Sequence, residues 1–416
     1  MIFAFGLVLL IIICLVTLMY PVIGAAVYFC NLVVGLSIRY PELIDLRIMG
    51  ILPMFILLSI FMKRGKVLNK KQFPQRYEIY FLVFHLSIWI GWIYYYGFNL
   101  FKSNFLSLLV PITLFFFCSR FIYSEKDLRI LIGGLVGGIV FIAFEGLYNI
   151  IYSEIISLEG LRYEGTVRFS NSNEQALIMN IALPFLLFVF SSKDDFGIKK
   201  TTNLFFLFVT TLITIQTASR AGFLGYITIC VLFFAKTKKI KNVLFSIIIV
   251  VFFLLILLPD SNLSNRTSAT NATGSLDASS ADRLEAWWAA RVMFKQHPII
   301  GVGQHNFMEH HTLMAHNSFF LVLAETGIFG TICWVMLIVS GIKTLRRIDR
   351  IETKNTENIT YLKGIAHCNL VALYGFLVTS SFGNQCYSPF LFLLLSLPYS
   401  IERLIEYEQN VVNKEC

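Results

Sequence analysis

Five of the seven histidines in this 416-residue chain, His297, His305, His310, His311 and His316, lie in Pro259–Gly330, the longest interruption between its apolar segments. His316 and Asn317 stand nine residues before Gly327–Ile328–Phe329–Gly330, at the entry of the next apolar run. An imidazole there is suited to take a proton from a hydroxyl near neutral pH; the plainer reading is a structural interfacial histidine. Upstream, Arg283, Trp287 and Arg291 recur every four residues, on one face of a helix expected to begin near Ala281 with Ser279 or Ser280 as its cap. An amphipathic helix on the outer leaflet explains that face, and it is compatible with a sharper reading in which Arg283 pairs bidentately with phosphate.

Arg220, in the TASRAG string between two short apolar runs, is either a snorkelling arginine at a hairpin tip or a second cation. At a bilayer centre an arginine costs about 2.5–3.5 kcal/mol, and at an interfacial turn far less. Arg162, Arg168 and Asn173, in RYEGTVRFSNSN, suit sugar or phosphate contact, and a hydrated loop explains them equally. Metal chemistry has little to build on. Glu309–His310–His311 lacks the HExxH order, Asp260, Asp277, Asp282, Glu285 and Glu309 form no DxD-like pair, and most cysteines sit singly in apolar runs. The expectation is therefore a site with no metal and no cofactor, in which arginines neutralise any bound diphosphate.

The elements that must position these residues are membrane spans. At 56% hydrophobic and 14% charged the chain is too apolar for a soluble globule. It reads as all-α and polytopic, with thirteen spans, or twelve if Ile2–Met19 and Val22–Ser37, parted only by Tyr20–Pro21, form one broken element. Met1–Met19 is expected to be a retained span and not a signal peptide. The expected division is residues 1–258 as ten spans, 259–317 as a large polar loop, 318–404 as the last spans and 405–416 as a tail. Strict alternation from a cytoplasmic Lys63–Arg76 puts 24 of the 34 Lys and Arg residues on one side, the bias expected of cytoplasmic loops. The polar stretches Tyr152–Gln175, Thr217–Arg220, Pro259–Asn317 and Ser381–Ser388 then share the opposite face, periplasmic in a bacterium. The net charge of +9 sits in short loops beside spans and implies no nucleic-acid partner.

Arg220 in TASRAG, Arg283 in ADRLEAW followed by HPIIGVG, and His316–Asn317 nine residues before GxxG resemble the O-antigen ligase and O-antigen polymerase superfamily. The likeness is firmest over Asn171–Gly330. It implies a GT-C-type fold of about 12–13 spans in the bacterial inner membrane, a large periplasmic helical loop before the last spans, and glycosyl transfer that needs neither ATP nor metal. The implied donor is a glycan on undecaprenyl diphosphate, and the acceptor is a hydroxyl of lipid A–core in a ligase or another carrier-linked glycan in a polymerase. Transfer to protein hydroxyls is a related possibility. By this resemblance Arg220 and Arg283 bind the diphosphate and His316 prepares the acceptor; Arg162, Arg168, Asn173, Trp287, Arg291 and Asn317 complete the expected substrate contacts. A lipid-linked sugar transporter, the alternative from another class, calls for charges at mid-span and internal repeats. No convincing repeat is visible.

Overall fold

The computed structural model describes residues 2–62, 75–152, 165, 168–169, 171–191, 199–236, 278–351 and 357–415. Every regular element among them is a helix. Arg162 and the expected span Val243–Leu258 lie outside the described residues. Within the described residues seven helices are each long and apolar enough to cross a membrane. Helices dominate because hydrocarbon offers backbone amides no other partner. The chain is an all-α, multi-pass membrane protein, and large side chains such as Phe5, Leu15 and Phe61 are more than half exposed at its periphery.

Helix α1 (Ile2–Met19) ends at Tyr20, and Pro21 opens α2 (Pro21–Val34), where a proline's missing N–H costs nothing. The chain reverses there, setting Gly24 against the Thr17 side chain, so the first two runs are separate helices. After a short turn, α3 (Leu36–Arg39), the chain returns through α4 (Ile48–Met62), whose Ser59 donates to the Leu18 carbonyl at 2.9 Å. Helix α5 (Arg76–Arg120) is a hairpin folded at Gly97, whose φ is 80°. Its legs are zipped by the Glu78–Arg120 ion pair and by the stacked rings of Phe81 and Phe115, 3.8 Å apart. They correspond to the expected spans Ile79–Tyr96 and Phe105–Phe117. Helix α6 (Glu125–Tyr152) runs parallel to α2, with Gly134 against Ala26 and Gly138 against Cys30; the Arg39–Glu145 pair closes that contact.

Helices α7 (Ser172–Ser191), α8 (Lys200–Gln216) and α9 (Arg220–Ala235) follow as successive antiparallel legs. Then come α10 (Ala278–Gln296), the single turn α11 (Phe307–His310), α12 (Ser318–Asp349), α13 (Glu357–Ser380) and α14 (Pro389–Glu415). One end of the bundle collects ion pairs: Glu78–Arg120, Arg347–Glu402 at 2.8 Å and Lys236–Asp349, with Arg403 donating to the Ser119 and Ile122 carbonyls at 2.7 Å. These residues come from loop ends that the charge pattern assigns to one side.

The expected span Ser318–Ser340 is not one straight helix. The Phe319 and Trp334 rings meet edge to face with centroids 5.1 Å apart, whereas an unbroken helix would separate such positions by about 22 Å. The chain folds back at Gly327 (φ 63°, ψ −161°), a conformation close to glycine-only. Breaking a helix orphans backbone groups, and His297–Gly303 satisfies them here: Val302 and Gly303 donate their N–H groups to the Ala324 and Glu325 carbonyls at 2.8 and 3.0 Å, and Ile328 donates to the Pro298 carbonyl at 2.9 Å. The approach is so close that a Cβ on Gly327 would lie 2.4 Å from the Ile299 carbonyl oxygen, and one on Gly301 2.4 Å from the Glu325 carbonyl carbon. Gly327→Ala is therefore expected to destabilise the protein by about 1–3 kcal/mol, read as a lowered Tm in detergent. Gly137→Ala, at a site with no atom within 4 Å of the added methyl, is the control; equal Tm values for the two variants would contradict the account of the break.

Candidate active site

The turn that carries Arg220 is built from small polar residues. Ala218 adopts φ 46°, unusual for a residue with a Cβ, and Thr217 braces it by donating to the Thr214 carbonyl at 2.7 Å. Ser219 caps α9: its Oγ accepts the Gly222 N–H at 3.0 Å and donates to Asn173 Oδ1 at 2.6 Å. Two glycines let α9 close on its neighbours, since a Cβ on Gly222 would lie 2.3 Å from that of Ala176 and one on Gly225 2.1 Å from Thr379 Oγ1. Asn180 locks the contact through the Gly222 carbonyl at 2.8 Å. Half-buried Arg220 is thus the first residue of α9, where the helix dipole disfavours a cation and favours an anion.

Arg283 and His316 stand on different elements, within electrostatic reach of each other. Helix α10 begins at or before Ala278, so Ser279 and Ser280 lie inside it and do not cap it; serine is tolerated in a first helical turn. The helix packs through Ala286, Ala290 and Met293, each no more than 3% exposed. Trp287 donates its indole N–H to the Ala315 carbonyl at 2.9 Å and stacks on Phe320, and the Arg291 guanidinium lies 5.4 Å from that ring's centre. Trp287 and Arg291 therefore grip the chain on both sides of His316. His316 itself has φ 45°, and Asn317 caps α12 by accepting the Phe319 and Phe320 N–H groups at 2.9 and 3.2 Å. Burial and the neighbouring Arg283 cation push the His316 pKa below its ordinary value, so the imidazole is a neutral base at pH 7.

A third group of contacts completes this end. Ser318 Oγ donates to the Gly383 carbonyl and accepts the Gln385 N–H, both at 2.8 Å, and Gln385 Nε2 donates to Glu174 Oε1 at 3.0 Å. Arg168, exposed, lies against Gly35 and within electrostatic reach of Glu174. Pieces of three of the polar stretches expected on one face, residues 168–175, 217–220 and 383–385, are thus joined at the same end of the bundle, with Ser318, the residue that follows the fourth, bound to the last of them.

Glu174, Ser318, Glu325 and Gln385 make structural contacts here whose partners the sequence does not indicate. Glu325, 2% exposed, accepts the His305 and Phe307 N–H groups at 3.0 and 3.4 Å. Its Oε2 faces the Tyr387 hydroxyl without closing a hydrogen bond of good geometry. A carboxylate two residues before Gly327, inside an apolar run, was the available signal. The remaining histidines of this segment have contacts of their own: the His297 and His310 rings lie 6.4 Å apart, and His311 approaches Glu285 at 3.6 Å. Among the described residues no three His, Cys, Asp or Glu side chains group as metal ligands.

No curated protein matches the chain. Residues 205–335, from within α8 to the second leg of α12, match the family described as O-Antigen ligase. That segment holds Arg220, Arg283 and His316, the loop His297–Gly303 and the break at Gly327. Over residues 205–335, about a third of its length, this multi-pass membrane protein is similar to the O-Antigen ligase family.

Proposed function

We propose that the chain is a GT-C-type glycosyltransferase of the bacterial inner membrane that moves a glycan from undecaprenyl diphosphate to a hydroxyl of lipid A–core at the periplasmic face. The observation that carries this reading is that an arginine and a neutral histidine, Arg283 and His316, lie within electrostatic reach of each other at the bundle end that also holds Arg220. In the reaction the acceptor oxygen attacks the anomeric carbon from the side opposite the diphosphate, and the carbon–oxygen bond to the diphosphate breaks with inversion. His316 takes the hydroxyl proton. Arg220 and Arg283 stabilise the charge that develops on the leaving diphosphate, where fixed cations matter most. The Arg283 cation also keeps His316 in its basic form, so one arginine serves both partners of the reaction.

Arg168 extends the cationic surface, while Asn173, Asn317, Trp287 and Arg291 act by holding the site's elements in register. The energy of transfer resides in the lipid diphosphate, and no nucleotide is required at this face.

His316→Ala and Arg283→Ala are expected to insert normally and to lower transfer by about 10²–10⁴-fold and 10²–10³-fold respectively, measured with purified protein and carrier-linked glycan. Wild-type rate in either variant removes that residue from the mechanism. Because the His316 pKa is depressed, kcat/KM should hold level from pH 8 down to about 6.5 and fall only in more acid solution, as the base is protonated; a decline already visible between pH 8 and 7 contradicts its role. Chelator should leave the rate unchanged, and a loss restored by Mg²⁺ would show that arginines alone do not carry the diphosphate charge. Supplying labelled donor with either lipid A–core or a second carrier-linked glycan separates ligase from polymerase by which acceptor is extended.

A further inference from the structure

The first turn of α7 reaches both halves of the proposed site through adjacent residues. Asn173 Oδ1 accepts the hydroxyl of Ser219, immediately before Arg220. Glu174 Oε1 accepts Gln385 Nε2, and the Gln385 amide is bound to Ser318, two residues after His316. Successive residues of a helix point about 100° apart, so the pair addresses two neighbours from one base. That base is rigid: α7 is buried without interruption from Gln175 to Leu187. Asn173, Glu174 and Gln385 all lie outside the matched segment 205–335, which therefore carries the charges but not the element that spaces them.

We infer that Asn173 and Glu174, the latter acting through Gln385, are positioning residues that set the separation between Arg220 and His316. The catalytic consequence rests on the transferase reading; the positioning does not. Misplacing a catalytic group by about 1 Å can cost on the order of 10²-fold in rate, whereas loss of a partly exposed hydrogen bond costs little stability.

Glu174→Ala should lower kcat at least tenfold with KM and Tm little changed. Glu174→Gln, which keeps an oxygen for Gln385 Nε2, should retain most of the rate. Gln385→Ala should match Glu174→Ala, and the double variant should be no worse than either, because both remove one link. Independently of transfer, diethyl pyrocarbonate acylates neutral imidazoles, and the rate at His316 can be referred by mass spectrometry to that at exposed His310 in the same full-length protein. The ratio should rise several-fold in Glu174→Ala and stay near wild type in Glu174→Gln. An unchanged ratio in Glu174→Ala and Gln385→Ala overturns the inference, as do additive losses or an effect on KM alone. If one alanine variant does not fold, the other tests the same link from its opposite end. Absence of transfer in the wild-type protein would sink the functional reading, and the reactivity ratio would still decide the positioning.

Discussion

A helix interrupted within a membrane protein exposes amides and carbonyls that hydrocarbon cannot satisfy, and this chain depends on the way it meets that constraint at Gly327. The backbone of His297–Gly303 supplies the missing partners, taking the Ala324 and Glu325 carbonyls and returning the Pro298 carbonyl to Ile328. Tyr95, on the first leg of α5, donates to the Gly301 carbonyl at 2.7 Å, and Tyr96 to that of Gln304 at 2.9 Å. The loop that follows α10 is thereby fixed to α12 and to α5 at once. Because α10 carries Arg283 and α12 begins beside His316, the repair of a broken helix also determines where the cation and the base stand.

Backbone strain falls beside both elements of the candidate site, as it does at Arg47 and His305. Ala218 and His316 both occupy the left-handed region, which costs a residue with a Cβ on the order of 1 kcal/mol. Each persists because capping bonds on its C-terminal side hold it: Ser219 to Gly222 in one case, Asn317 to Phe319 and Phe320 in the other. Strain retained beside both the arginine that opens α9 and a depressed-pKa histidine is consistent with a site arranged in advance.

Much of this was legible in the sequence. Pro21 between two apolar runs marked a break, the basic loops assigned one end of the bundle, and the small residues of TASRAG marked a hairpin tip. Arg283 and His316 stood out because charge and imidazole are rare in so apolar a chain. What the sequence did not disclose were relationships carried by backbone and by long-range polar contacts. Gly327 and Gly330 suggested packing between helices, yet Gly327 is a reversal whose need arises from Ile299 and Gly301. Asn173 and Asn317 have the composition of substrate contacts, yet their side-chain oxygens engage Ser219 and the start of α12. Glu174 and Gln385 each lie in a polar stretch visible in the sequence, but nothing local pairs them, since the bond joins residues 211 positions apart.

The boundaries of the matched segment fall in the middle of two helices, inside α8 and inside the second leg of α12. The recognisable stretch is therefore not a self-contained module. Residues beside its ionisable groups are held by partners outside it, Asn173 on α7 and Gln385 before α14 among them, so the stretch carries its charges on a borrowed frame.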